Sequence, residues 1–131
     1  MDSTDGDEHE ATAHALNQLG SVLARKESWA EAQEMFEGAL CVIQAARQGK
    51  RKMKWAIHEA HAMHNLACVL VMRKEEKQRG LELGRECVHL CETLLGATHD
   101  RTIYYKNLWE PGFHTMTPKE EFATNTRSKH E

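Results

Sequence analysis

The sequence has few residues that interrupt helices and no long apolar run. Only two of its 131 residues are proline, Pro111 and Pro118, so nothing of that kind interrupts a helix before position 111. No apolar stretch approaches the roughly 18 residues that a membrane-spanning helix needs. The charges nearly balance, with 17 basic and 20 acidic residues, and this argues against nucleic acid or an anionic membrane as a partner.

The four cysteines lack the close pairing of a small secreted disulfide scaffold, so we expect reduced thiols. Cys87 and Cys91 are four residues apart and could form a redox pair, but burial as small apolar side chains is the preferred interpretation. The acidic start MDSTDGDEHE is unlike a signal or transit peptide. We therefore expect a cytoplasmic protein, with the nucleus as an alternative location.

Hydrophobic periodicity predicts a single domain built from five helices. Their expected ranges are about 7–25, 29–48, 52–73, 76–95 and 100–110. We expect an acidic, flexible segment at 1–10, a helical domain at 11–110, and a polar tail at 111–131 with a short capping helix at 118–124. Short turns between the helices predict antiparallel helical hairpins.

The segments ALNQLGSVL (15–23), AMHNLACVL (62–70) and YYKNLWE (104–110) are variants of one pattern. Each has a polar amide, then leucine, then usually a small residue. On the first helix the large and small residues Leu16, Leu19, Gly20 and Leu23 share one face. Ala32, Phe36 and Ala39 do the same on the second helix. Small residues at such positions allow two helices to approach closely.

This pattern resembles the tetratricopeptide repeat, which the first unit matches at all seven of the positions just named. The second unit matches at Met63, Leu66, Ala67 and Leu70, but it has Gly80, Gly84 and Cys87 in place of the alanine, aromatic and alanine of the second helix. The stretch LLGATHDRT resembles the turn in repeats of the kinesin light chain type, with Asp100 where that family has proline. The resemblance implies an all-α fold of antiparallel helical hairpins stacked as a short right-handed superhelix of about two and a half repeats. It also implies a non-catalytic protein-interaction module, an adaptor or scaffold.

The third unit departs from the pattern, because Trp109 occupies the small position and no full-length second helix follows. Solenoids usually need a capping element over their last repeat. We expect the end of the solenoid to be covered by Phe122 of the short helix at 118–124, or by self-association through the C-terminal end.

The segment HEAHAMHN (58–65) raises the question of a site. Met63, Leu66, Ala67 and Leu70 define the inward face of the third helix, which turns His58, His61, His64 and Cys68 to the other side. In tetratricopeptide proteins that side lines a concave peptide groove. The resemblance implies these groove residues: His14, Asn17, Ser21, His61, His64, Asn65, Cys68, Ile103, Lys106 and Asn107. Only Asn65 fits the pattern that binds chaperone C-termini, so that ligand is disfavoured.

Three other interpretations remain open. The groove residues could form an ordinary solvated helix face. His61, His64 and Cys68 form a column at spacings of three and four that could bind zinc or copper, although no paired Cys-x-x-Cys motif supports it. The basic run KRKMKW (50–55) could bind an acidic partner or RNA, but a solvated turn satisfied by the acidic N-terminal segment is preferred. No catalytic motif is found, and we expect no cofactor and no enzymatic activity.

Overall fold

A computed structural model describes residues 3–48 and 53–110, with side chains from Glu8 onward. These residues form five α-helices and no strand. The helices are α1 (Ser3–Arg25), α2 (Trp29–Arg47), α3 (Met53–Met72), α4 (Lys77–Leu94) and α5 (Asp100–Trp109), with a 3-10 turn at Lys74–Glu76 before α4. The expected polar tail and its capping helix at 118–124, including Phe122, lie outside the described residues.

The helix ends follow the predicted ranges closely, and the differences have local causes. Residues 3–10, expected to be a flexible segment, are the first turns of α1, where a Glu10 carboxylate oxygen lies 3.0 Å from Nε2 of His58 on α3. At the end of α2, Gln48 takes the left-handed conformation. Gly96 does so after α4, as a glycine can without steric cost.

A histidine caps the start of α5. The Nδ1 atom of His99 accepts a hydrogen bond from the Arg101 backbone N–H at 3.1 Å. The imidazole therefore satisfies one of the free N–H groups that begin every helix.

Two helical hairpins form the body of the protein. Helix α1 packs along α2, and α3 packs along α4, while α2 contacts α3 and α5 contacts α4. The predicted all-α stack of antiparallel hairpins is confirmed. Helix α3 lies at its centre, and every residue from Ala62 to Leu70 is buried. This stretch of α3 therefore has no purely polar face.

Glycine and aromatic residues fit together at two places in the stack. In the first unit, a Cβ atom added to Gly20 of α1 would lie 2.6 Å from the Phe36 ring of α2. In the second unit Gly84 stands where Phe36 stands in the first, and the Trp109 indole of α5 covers it. The two departures from the repeat pattern, Gly84 and Trp109, therefore compensate for each other.

Gly80 explains how closely α3 and α4 pack. A Cβ atom there would lie 2.8 Å from the Val71 nitrogen and 2.9 Å from the Ala67 carbonyl oxygen. The backbones of α3 and α4 are therefore in close contact here, and no larger residue could occupy position 80 without moving the helices apart.

An added methyl group distinguishes the packing glycine Gly84 from an ordinary helical glycine, Gly38. At Gly84 it would overlap with Trp109, whereas at Gly38 it would meet Leu16 at 3.4 Å. We expect Gly84→Ala to lower the free energy of unfolding by about 1–3 kcal/mol through overpacking. Gly38→Ala should raise it by up to about 1 kcal/mol, because alanine favours the helix. Urea denaturation followed by circular dichroism measures both.

The same substitution in a Trp109→Ala background provides the control. With the indole removed, Gly84→Ala should be neutral or stabilising relative to that background. An equal loss of stability in both backgrounds would show that Trp109 is not the group that requires glycine.

Candidate functional site

The first helices of the three units, α1, α3 and α5, meet along one surface, which we call the groove face. Two buried asparagines join α1 to α3 there. The Asn65 side-chain amide donates to the Asn17 carbonyl oxygen at 3.4 Å, and it lies 3.2 Å from Nε2 of His61. Because an amide nitrogen only donates, the His61 nitrogen accepts. Asn65 is thus held between α1 and the edge of the groove face.

His64 joins α3 to α5 through a buried hydrogen bond. The Trp109 indole Nε1–H donates to Nδ1 of His64 at 3.0 Å, and the His64 and Tyr105 ring centroids are 4.8 Å apart. Since the indole nitrogen can only donate, His64 must accept and is therefore neutral, with its proton on Nε2. That nitrogen lies 3.7 Å from the Cys68 sulfur. His64 is part of the packing between helices.

Burial corrects part of the predicted groove. The interpretation of His64 as a groove residue and not a core residue is wrong, because its side chain is 1 % exposed. Asn17, Asn65 and Cys68 are also buried. Met63, Leu66, Ala67 and Leu70 define only the face of α3 that packs within the first two units. On its other side, α5 covers His64 and α1 covers Asn65.

The remaining predicted groove residues are accessible to different degrees. His14, Ile103 and Asn107 are exposed, while Ser21, His61 and Lys106 are half-buried. Lys106 forms an ion pair with Glu92 of α4 at 3.5 Å, so its ammonium group turns toward α4. Helix α5 has this orientation because Trp109 is fixed over Gly84.

Tyr104 is the groove-face residue that the sequence interpretation missed. Tyr104 is 39 % exposed, and its ring lies 6.1 Å from the His64 ring, centroid to centroid. The repeat alignment placed Ile103 and Lys106 on this face. Only the rotation of α5 about its axis brings Tyr104 there, and the sequence carries no separate signal of that rotation.

The basic run at 50–55 is described only in part, since residues 50–52 lie outside the described ranges. The Lys54 ammonium lies 3.9 Å from the Glu10 carboxylate and 5.3 Å from the centre of the Trp55 ring. Glu10 also contacts His58. These contacts support the preferred interpretation, in which the acidic N-terminal segment partly compensates the basic turn.

The predicted column of metal ligands, His61, His64 and Cys68, does not form a metal site. In the described part of the chain, no group of three or more His, Cys, Asp or Glu side chains could hold a metal ion. The hydrogen bonds explain why. The Nδ1 atom of His64 accepts a hydrogen bond from the Trp109 N–H, and Nε2 of His61 accepts one from the Asn65 amide. In the same described ranges, no helix has a segment of the length and hydrophobicity needed to cross a bilayer.

Behind His64, a cluster of buried groups joins α3, α4 and α5. Cys87 and Cys91 are fully buried, which confirms the preferred interpretation of both as core residues. Burial raises the pKa of the Cys87 thiol, which donates to the Ala60 carbonyl oxygen at 3.2 Å. Burial also raises the pKa of Tyr105 well above its usual value, and its hydroxyl accepts a hydrogen bond from Arg101 at 3.3 Å.

A cleft of about 610 Å³ lies on another side of the molecule, bounded by α2, α3 and α4. Its apolar lining residues are Leu40, Met63, Leu83, Leu90 and Leu94, and its polar ones are Gln44, Glu59, Arg85, Glu86, His89 and Thr93. The Glu59 carboxylate is buried and pairs with Arg47 at 3.0 Å. The sequence interpretation did not anticipate this cleft, because it is created by the separation of α2 and α4.

The raised pKa of Tyr105 predicts a loss of stability at alkaline pH. The folded state holds the phenol proton more tightly than the unfolded state, whose tyrosine pKa is about 10. The resulting stabilisation of the neutral form is complete below that pH, and it is lost as the pH rises toward the folded-state pKa. In a Tyr104→Phe variant, Tyr105 is the one remaining tyrosine. We expect its tyrosinate absorbance to appear together with unfolding measured by circular dichroism. Ordinary titration of Tyr105 in the folded protein would contradict this assignment.

Removal of the His64 acceptor should destabilise the packing of α5. We expect His64→Leu to lower the free energy of unfolding by about 1–3 kcal/mol, because the buried Trp109 N–H loses its partner. A Trp109→Phe substitution in the His64→Leu background should cost less than it does in the unaltered protein, since both polar groups are then absent. Additive losses in this double-mutant cycle would show that the hydrogen bond contributes nothing to stability.

The comparisons with known proteins agree with this geometry. The family model of the tetratricopeptide repeat matches residues 12–46 and 60–100, more than half of the chain. The first match covers most of the α1–α2 hairpin and the second covers most of α3 and all of α4, and the model is of the kinesin light chain type. Neither curated proteins nor solved structures gave a match. The chain belongs to the tetratricopeptide repeat family.

Proposed function

We propose that this protein is a non-catalytic adaptor or scaffold that binds a peptide or helix of a protein partner on the groove face. Its family supports a role in protein–protein interaction. The observation that carries the choice of surface is the Asn17–Asn65 hydrogen bond, with His61 bonded to the same amide at the edge of the surface. This network anchors the half-buried His61 imidazole to buried amides of α1 and α3.

A preformed surface favours binding because its side chains lose little freedom when the partner arrives. Tyr104 adds a half-exposed aromatic ring beside the polar residues. Tyrosine is enriched among residues that dominate binding energy, since it combines apolar area with a hydrogen-bonding hydroxyl. Peptide recognition commonly combines such an anchor with polar groups that bind the peptide backbone.

Burial divides the ten residues predicted to line the groove into groups with different proposed roles. Those with accessible side chains are proposed to contact the partner: His14, Ser21, His61, Ile103 and Asn107, together with Tyr104. The buried residues Asn17, His64, Asn65 and Cys68 are proposed to hold α1, α3 and α5 in position. Lys106 is proposed to act at the rim, where its ion pair with Glu92 is partly exposed.

An adaptor needs a second surface, and the cleft between α2 and α4 is the candidate for it. Its lining combines leucine side chains with Glu86, Arg85 and His89. A cleft of this size can take a short apolar segment with charged flanks. The groove face lies on α1, α3 and α5 and the cleft on α2, α3 and α4, so only α3 contributes to both. Because the two surfaces use different sides of α3, both could be occupied at once.

The test compares two matched double variants in affinity capture from cell extract, with proteins identified by mass spectrometry. His61→Ala with Tyr104→Ala alters the groove face, and Gln44→Ala with His89→Ala alters the cleft. Both leave the buried hydrogen bond between His64 and Trp109 untouched. We expect the groove-face variant to lose partners that the cleft variant retains.

Binding of a captured partner, purified and titrated by calorimetry, then gives the magnitude. We expect the groove-face variant to bind at least about tenfold more weakly, the loss typical of removing an anchor residue. Circular dichroism must show that both variants are folded. If both groove-face substitutions leave the affinity unchanged while the cleft substitutions reduce it, the binding surface is the cleft.

A further inference from the structure

The outward side of α1 carries apolar residues that nothing covers in the described structure. Leu19 is 48 % exposed and Val22 is 36 % exposed, and Ala15 is exposed beside them. The repeat pattern groups Leu19 with Gly20, which packs against Phe36, but Leu19 is exposed in the structure. The step of about 100° between consecutive residues turns it, with Ala15 and Val22, away from the buried stripe of α1. We call this exposed stripe the outer stripe of α1.

The repeat shows that the same positions are covered in the second unit. Ala62, Leu66 and Val69 of α3 correspond to Ala15, Leu19 and Val22, and each is at most 2 % exposed. Ala62 belongs to a core cluster with Ala39 and Ile43 of α2. Leu66 and Val69 belong to one with Ala32 and Phe36 of the same helix. The outer stripe of α1 thus has the composition of a surface that packs against another helix.

The charges at the two ends of the outer stripe indicate which helix fits. Glu8 and Lys26 are both exposed, and about five helical turns separate them, so they lie on the same side of α1. The Lys26 N–H still bonds to the Val22 carbonyl at 3.2 Å, which continues the helical geometry to that residue. A second α1 in the antiparallel direction would therefore place its lysine end against Glu8.

We propose that this protein self-associates through antiparallel packing of the outer stripe of α1 against that of a second copy. A two-fold axis near the middle of the helix places Leu19 against Ala15 of the second copy, so a large side chain meets a small one. It also pairs Glu8 with Lys26 of the second copy, and Lys26 with Glu8. The sequence instead predicts self-association through the C-terminal end of the solenoid. In the structure Trp109, at that end, is buried.

The proposed contact is compatible with the groove face. Consecutive helix residues are about 100° apart, so His14 points well away from Ala15. A single pair of helices buries less surface than the about 1,200 Å² of a standard stable interface. The association is therefore weak and reversible, and it brings two groove faces together only at high local concentration.

Sedimentation velocity of the intact chain over a hundredfold concentration range tests the proposal. We expect the average mass to rise from monomer toward dimer with concentration. Leu19→Lys should abolish this rise, because a charge would be placed in the centre of the contact. Ile103→Lys is the matched control, since Ile103 is 45 % exposed and lies on α5. A protein that stays monomeric throughout, or a dimer lost in Ile103→Lys and kept in Leu19→Lys, overturns the proposal.

Charge reversal tests the antiparallel arrangement independently. In Glu8→Lys, lysines would face each other at both ends of the contact, and in Lys26→Glu, glutamates would do so. Each variant alone should dimerise about tenfold more weakly, since two attractive pairs become repulsive. An equal mixture of the two should recover dimerisation, because every end then pairs opposite charges. If the mixture is no better than either variant alone, the helices do not pair in this direction.

Failure of this proposal is distinguishable from failure of the proposed function. Leu19→Lys removes only the outer stripe, so a captured partner should bind it with unchanged affinity. The groove-face substitutions should in turn leave the concentration dependence of the mass unchanged. Loss of partner binding in Leu19→Lys would mean that the outer stripe belongs to the partner site and would overturn the proposal of a second copy.

Discussion

The contact between Trp109 and Gly84 is the constraint on which the packing of α5 against the second hairpin depends. In the first unit the aromatic residue Phe36 lies on the second helix and covers a glycine on the first. In the second unit that aromatic position is Gly84, and the indole of the following helix enters the space. The Trp109 ring therefore has two roles. It completes the packing of the second hairpin, and it fixes α5 to that hairpin. Without the indole, α5 would lose its principal anchor, since it is only ten residues long.

The buried Trp109 indole N–H requires a hydrogen-bond acceptor, and His64 provides one. An unpaired N–H in the interior is costly, so an acceptor must lie within reach. The His64–Trp109 hydrogen bond provides it and makes this histidine a neutral packing residue. The histidines of the segment at 58–65, which resemble a cluster of metal ligands in the sequence, therefore have different roles. His64 is committed to the core, while His61 remains at the edge of the groove face with Asn65.

The same repeat pattern has different consequences in its two copies because the neighbours differ. Leu66 and Val69 are buried by the preceding unit, whereas Leu19 and Val22 are exposed in the first unit. Residues 62–70 of α3 are all buried and have lost the polar face that would make the role of this helix obvious from periodicity. In a stacked protein, the exposure of a residue depends on its unit as well as on its position within the unit.

The sequence by itself determined the helices, their order and the repeat class, because these depend on local periodicity and on residues a few positions apart. It also carried the signs of close packing at Gly80 and of burial at Cys87. Only the tertiary structure decided how α5 is rotated, which brought Tyr104 to the groove face and turned Lys106 toward Glu92. That rotation follows from the fit of Trp109 over Gly84, two residues far apart in sequence, and no local pattern encodes a contact of this kind.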